Sequence, residues 1–381
     1  MGAVEKVNVA VIGGGPAGAI VAQETAKEGL RTVLFERAPN APLRCAGLIS
    51  MRAAEELGVP EDLILEEIHG GVVHGPKGNE VALTAPEAKA VVIDRQRFDA
   101  HLRERARTAG AAVLEGASAF GWDGEVLHTS VGEFRPEILV GADGAVSSVA
   151  RWAGLPEPRE ILVAYQAEID ARPRYPGHVE VFLGRDIAPG FFAWAIPAGE
   201  VLRVGLATTE KGHGLLLFQS FIAKKFPNLR VLSTSGGLIP IGPPTPTSIE
   251  RVFLVGDAAA QVKPITGGGL YYGGRAAALL GRLIVAGNPR EYEQRWREWI
   301  GREIEFGLRA RRGFLSLSDN ELDFLVSLLE DRALSAFLLE RGDMDYPSRL
   351  IPELRRSPHL WPLGFKILKA LGGLSRLQDF L

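Results

Sequence analysis

A single cysteine in 381 residues excludes an intramolecular disulfide framework and any cysteine-rich metal site. It agrees with a reducing compartment. Histidine is sparse as well, seven in all; only His69 and His74 fall close together. They read as solvated loop residues rather than a metal pair, so no metal is expected. No run reaches the roughly 18 uninterrupted apolar residues of a membrane-spanning helix. The one stretch that imitates a signal peptide, VNVAVIGGGPAGAIVA, is broken by glycines and is followed by Glu24, Lys27 and Glu28 at helical spacing. A cytoplasmic location is therefore expected. Charge of one sign is also lacking: 43 basic and 46 acidic residues leave a net −3, which gives no general pull toward nucleic acid, and no nucleic-acid partner is expected. What the chain does have is 46% hydrophobic and 23% charged residues, enough for two or three globular domains.

The segment VNVAVIGGGPAGAIVAQETAKEGLRTVLFER carries every part of a βαβ dinucleotide unit. Val7–Ile12 is a short β-rich run suited to a buried parallel strand. Gly13, Gly15 and Gly18 then form G-x-G-x-x-G. The first allows a tight turn, the second lets the backbone approach a pyrophosphate, and the third lets the helix pack on the strand. The helix start presents unpaired N–H groups to the anion. Arg31–Phe35 reads as the second strand, with Glu36 at its end to accept hydrogen bonds from a ribose diol. An acid there favours a free 2′-hydroxyl, which means FAD or NAD rather than NADP.

Two distant segments decide between those. FRPEILVGADGAVSSVAR (134–151) is a strand running into Gly141-Ala142-Asp143-Gly144, followed by Ser147, Ser148 and Arg151. In IERVFLVGDAAAQVKPITGGGLYYGGRAAALLG (249–281) an apolar strand ends in Gly256-Asp257; Pro264, Gly267–Gly269 and a small-residue helix follow. An Asp just past a strand can bind a ribitol hydroxyl. A glycine-rich turn at a helix start can set N–H groups against the pyrimidine edge of a flavin. Taken singly, each is a generic strand-to-helix turn; three in this order point to FAD.

These segments resemble FAD-dependent oxidoreductases of the aromatic-hydroxylase-like superfamily. The resemblance implies that Gly13, Gly15, Gly18 and Glu36 hold the ADP half, that Asp257 lies on the ribitol and pyrophosphate side, and that Gly267, Gly268, Gly269 and Leu270 flank the isoalloxazine. It adds Pro16, Ala17, Arg37, Asp143 and Gly256 to the cofactor set. VVIDRQRFDAHLRERARTAGAAVLEG (91–116) also matches, with Arg95 near the cofactor and the remaining charges read as a solvated helix face.

Three features resemble the geranylgeranyl reductase branch, of the digeranylgeranylglycerophospholipid reductase type. Arg44-Cys45-Ala46-Gly47 corresponds to a cysteine-containing, glycine-rich stretch that those enzymes carry beside the flavin. PGFFAWAIPAGE (189–200) is similar to their Y/F-x-W-x-x-P element through Phe192, Trp194 and Pro197, the implied substrate contacts. KPITGGGL is similar to their P-x-T-G-G-G-I turn, with Leu270 for Ile. Each has a plainer reading: the aromatics alternate as one core face of a strand would, and Cys45 is also a small buried hydrophobe. With Phe at 192, no phenolic proton is available there.

The resemblance implies an FAD-dependent reductase that saturates C=C bonds of geranylgeranyl chains, on archaeal-type membrane lipids or the free diphosphate, with Cys45 catalytic. No second G-x-G-x-x-G is present for NADPH, which leaves NAD(P)H as a transient visitor, a deazaflavin or a ferredoxin as external donor. The rival readings are an aromatic-ring monooxygenase and a non-catalytic flavin-bound lipid carrier; a halogenase lacks its paired Trp and Lys signature.

The expected architecture is α/β with an α+β second domain. A Rossmann-like FAD domain is formed by 1–71, 92–156 and 246–288, and a mainly antiparallel substrate domain by 72–91 and 157–245. A helical region covers 289–381. The runs ILVAYQAEI, GHVEVFLG, FFAWAIP and VLRVGLAT supply the antiparallel strands, and 70–94 two more. Asp62–Gly71 and Pro240–Pro246 read as crossings between domains. The last stretch, HLWPLGFKILKALGGLSRLQDFL, sets Lys366, Lys369 and Arg376 among apolar residues, a pattern for peripheral membrane contact.

Overall fold

The computed structural model describes residues 4–41 and 45–361. Arg44 and nearly all of the stretch read as membrane-contacting lie outside the described residues. Contacts group the chain into two units whose limits differ from those read off the sequence. One comprises residues 4–41, Arg95–Ile161 and Ile239–Ile304; the other comprises 45–94, Leu162–Leu238 and the described residues from 305. Residues 45–71 thus group with the antiparallel sheet, and 289–304 with the nucleotide-binding unit.

The first unit is built on an eight-stranded sheet. Its main order is Ser248–Ile249, Val252–Leu254, Gly132–Gly141, Glu5–Ile12, Thr32–Glu36, Ala112–Glu115. Glu5–Ile12 is central and runs parallel to both neighbours. Val9, Ala10 and Val11 are fully buried, as expected of a parallel strand covered on both faces. The helices Pro16–Ala26 and Leu270–Val285 pack closely. A Cβ on Gly281 would lie 2.4 Å from Glu24 Cβ. Phe35, Phe134, Leu139 and Leu254 lie in the core that fixes the strand ends.

The second unit holds a seven-stranded sheet in the order Val231–Ile241, Glu160–Ile169, Val201–Thr208, Ala193–Ala198, His178–Phe182, Gly70–His74, Glu80–Thr84. Glu160–Ile169, Val201–Thr208, Ala193–Ala198 and His178–Phe182 are joined by antiparallel pairings, while His178–Phe182 pairs in parallel with Gly70–His74. A smaller sheet joins Leu48–Ser50, Ala90–Ile93 and Ile64–Ile68. Two local expectations are corrected here. Asp62–Gly71 is not simply a crossing, since Ile64–Ile68 pairs with Ala90–Ile93. His74 is not a solvated loop residue: it is buried in a strand, its Nε2 lies 2.8 Å from Glu180 Oε2, and its ring stacks on Phe182. The helix Gly214–Lys225, which the strand-rich reading of this region lacks, packs Phe218 and Phe221 against Leu206 and Phe182. Among the described residues no helix is long and apolar enough to cross a membrane.

Candidate active site

The glycine turn after Glu5–Ile12 is sterically determined. Gly13 has φ +104°, and a Cβ there would lie 2.3 Å from the Ala142 carbonyl oxygen. A Cβ on Gly18 would meet the Gly13 carbonyl oxygen at 1.9 Å. Gly15 differs: its φ is an ordinary −70°, and a Cβ would touch nothing within 4 Å. Its hydrogen therefore faces open space at the start of the helix Pro16–Ala26. That helix has no side-chain cap and no acidic residue in its first turn, so its unpaired N–H groups and dipole stay available to an anion. Glu36 closes the turn. Its Oε2 accepts the Gly14 N–H at 2.7 Å and its Oε1 the Ala38 N–H at 2.7 Å. Each oxygen has a further lone pair for a ribose hydroxyl. Arg37 is exposed beside it.

Arg103 supports the turn from behind. It is 4% exposed; its Nη1 donates to the Gly14 carbonyl at 3.2 Å and its Nε to Glu115 at 2.7 Å. Burial would raise the Glu115 pKa, but Arg103 and Arg107 outweigh it and hold the carboxyl below its usual range. Arg103 was hidden among the charges of an amphipathic helix, and its spacing in that helix gave no sign of a buried role.

The two later motifs converge on the same turn. Ala142 N donates to the Ile12 carbonyl at 2.8 Å. Gly256, at φ +67°, would drive a Cβ to 2.9 Å from Ala17 Cβ, and Gly269 would place one 2.7 Å from Asp257 Oδ1. Ala17 thus packs on Gly256, and Gly269 lies against Asp257, beside the turn that Gly13 makes with Ala142. Gly267 and Gly268 form the turn before Leu270–Val285, bridged by Lys263 N to the Gly268 carbonyl and Gly267 N to the Lys263 carbonyl. A buried chain, Gly256 N to Gln261 Oε1, Gln261 Nε2 to Tyr292 and Tyr292 to the Leu254 carbonyl, locks the Gly256 turn.

Asp257 is reached by solvent yet crowded by protein. The crowding pushes its pKa up, and the Arg95 guanidinium partly opposes this. Arg95, also held by Asp99, thus stands beside the expected flavin acid. Asp143 accepts from Ser147 Oγ at 2.6 Å and Ser148 N at 2.7 Å at the start of Ser148–Trp152. The open face over Gly15, the uncapped helix and the flanking Glu36 and Asp257 fit FAD.

In the second unit, Cys45, Ala46 and Gly47 lead into Leu48–Ser50. Cys45 is partly exposed, and its Sγ accepts the Gly47 N–H at 3.4 Å. Ala46 and Trp194 belong to one apolar cluster with Ile196, Val92 and Leu48, so the cysteine stretch and the aromatic element are brought together. Phe192 stacks on Phe191, with centroids 4.2 Å apart, and meets Trp194 edge-on. The two phenylalanines precede the strand Ala193–Ala198. Trp194 donates its Nε1–H to Gln166, and Pro197 is buried in the strand.

The FAD binding domain family matches residues 6–191. Together with the geometry of the glycine turns, this defines an FAD-dependent oxidoreductase. The digeranylgeranylglycerophospholipid reductase of Methanothrix thermoacetophila is 31% identical over 94% of this chain and 98% of its own. The chain belongs to the family of that reductase, the geranylgeranyl reductases. Among solved structures, a geranylgeranyl bacteriochlorophyll reductase-like protein from Thermoplasma acidophilum superposes with a TM-score of 0.81, at 25% identity over 93% of this chain and 100% of the other. A flavin-dependent brominase shares the fold, with a TM-score of 0.70 at 16% identity over 93% of this chain and 99% of its own.

Proposed function

We propose that this chain saturates C=C bonds in the geranylgeranyl chains of an archaeal-type glycerolipid, the free diphosphate being the second form such a substrate takes. What carries the reading is a glycine turn that fits FAD in a chain that also sets Ala46, the neighbour of Cys45, in one apolar cluster with Trp194, supported by the names of relatives similar over nearly their full length. Bound FAD, once reduced, supplies the hydride for one alkene carbon. Gly13–Gly18 and Glu36 bind and orient the cofactor. Phe192 and Trp194 give an apolar surface that aligns an isoprenoid chain and excludes water, while Pro197, buried and on the opposite face of the strand, supports it rather than touching the chain. The Cys45 thiol holds the proton for the second alkene carbon, and the thiolate left behind is reprotonated from solvent. Hydride and proton together add two hydrogens per double bond.

The reducing equivalents come from an external nicotinamide, deazaflavin or ferredoxin, and the C-terminal stretch gives peripheral contact with the bilayer that holds the lipid. Mass spectrometry of lipids from cells making this chain with an unsaturated archaeal lipid pathway tests the reading. Mass gains in steps of two hydrogens are expected; an added oxygen would indicate the aromatic-ring monooxygenase instead, and unchanged lipid around bound FAD a carrier. Cys45→Ala is expected to keep FAD and to lose about 100-fold or more in reduction rate. Undiminished saturation of every double bond by that variant would remove Cys45 from the mechanism.

A further inference from the structure

We propose that Arg203 is the positioning residue for the Cys45 thiol. It is the one charged side chain in the strand Val201–Thr208 and is only 5% exposed. A buried guanidinium must be matched by acceptors, and the acceptors here are specific. Its Nε donates to Glu168 Oε1 at 3.1 Å, from the residue directly opposite on the paired strand. Its Nη1 donates to the Ala46 carbonyl at 2.9 Å and, more weakly, to the Ile93 carbonyl at 3.4 Å.

The Ala46 carbonyl and the Gly47 N–H belong to the same peptide group, which is planar and trans. Fixing the oxygen on Arg203 therefore fixes the direction of the N–H on the opposite side, and that N–H is the one donated to Cys45 Sγ. Gly47 suits this arrangement. It sits at φ +82°, and a Cβ there would lie 2.5 Å from the Ile93 carbonyl oxygen and 2.8 Å from Arg203 Nη1. Ile93 N in turn donates to the Gly47 carbonyl at 3.0 Å. The guanidinium thus reaches the sulfur through one rigid plane.

Packing alone does not explain the arginine, because a buried apolar residue of similar volume commonly replaces a buried ion pair at no loss of stability. The inference rests on the proposed role of Cys45 as holder of the proton. The test compares Arg203→Met, Arg203→Lys and the unaltered protein, all loaded with FAD. Because the chain has one cysteine, its infrared S–H stretching band reports Cys45 alone.

In Arg203→Met the band is expected to shift and broaden, with kcat for the geranylgeranyl lipid down about 100-fold, KM within about threefold and FAD content unchanged. Arg203→Lys, which keeps the charge and a single-point donor without the fork, is expected to recover only to about a tenth of the unaltered kcat, with the band still displaced. The Glu168 side chain is about a third exposed (32%), so water can take over its charge when the arginine is gone. If Arg203→Met does not fold, Arg203→Lys decides, and an unmoved band with unaltered kcat overturns the proposal. So does an unmoved band in a folded Arg203→Met, or a fall in activity that merely follows loss of FAD. If the unaltered protein reduces no geranylgeranyl lipid, the proposed function fails by itself, and the S–H band still decides whether Arg203 holds Cys45.

Discussion

At the scale of single residues, Gly15 gives the cleanest probe of the cofactor site. Since nothing lies within 4 Å of a Cβ there and its φ is ordinary, Gly15→Ala strains nothing in the protein itself. With the pyrophosphate against this turn, as proposed, the methyl group takes the space it needs. The expected outcome is unaltered thermal unfolding of the FAD-free protein together with an FAD affinity lower by about 100-fold, or about 2.7 kcal/mol, read by flavin fluorescence titration. Asp257 makes a pH-dependent prediction. Its pKa is raised in the fold above the ordinary 3.8, so the ionised form is disfavoured by folding. That cost is present above the folded pKa and disappears as pH falls through it toward 3.8. FAD-free Asp257→Asn is therefore expected to melt higher than the unaltered protein at neutral pH, the gap closing below pH 3.8, while FAD binding weakens. A variant that melts lower at neutral pH would show that the carboxylate serves the fold instead. The glycines were legible because a tight turn or close approach leaves one residue type. Arg103 and Arg203 were not, because a buried cation is defined by partners up to 157 positions away, and nothing in its own segment marks it.

At the scale of elements, the strands announced themselves wherever burial was regular. Val201–Thr208 and Glu160–Ile169 fall where the apolar alternation put them. The helix Gly214–Lys225 was missed because LLLF followed by FIA reads equally well as apolar helix or strand, and its partners Leu206 and Phe182 lie elsewhere in the chain. The last helices have local start signals. Ser318 and Glu321 form a capping box at the start of Asp319–Leu328: Glu321 Oε2 accepts the Ser318 N–H at 2.7 Å, and Ser318 Oγ accepts the Glu321 N–H. Ser318→Ala is expected to cost about 1 kcal/mol, a fall in melting temperature of about 2–4 °C. Calorimetry with and without FAD checks it, and FAD affinity should not change.

At the scale of the whole molecule, the FAD fold was legible because three glycine motifs fall in one order along the chain, and the reductase family through the likeness of Arg44–Gly47, Phe192–Pro197 and Pro264–Leu270 to that branch. The division into units was not, since composition does not shift where the chain passes from one unit to the other. Each unit is assembled from three separate chain pieces. The central strand Glu5–Ile12 waits for Gly132–Gly141, and that strand in turn for Val252–Leu254. Gly70–His74 must find His178–Phe182, more than a hundred residues later. Synthesis proceeds from the N-terminus, so during translation the glycine-rich turn emerges early onto a sheet that lacks most of its strands. Such high contact order slows folding and leaves strand edges uncovered in the nascent chain. On the proposed cofactor set, which ends at Leu270, FAD is captured firmly only after the ribosome has passed that residue. A chain terminated between the two halves of either sheet yields no independent domain, and its unpaired parallel strands make it a candidate for aggregation and chaperone retention.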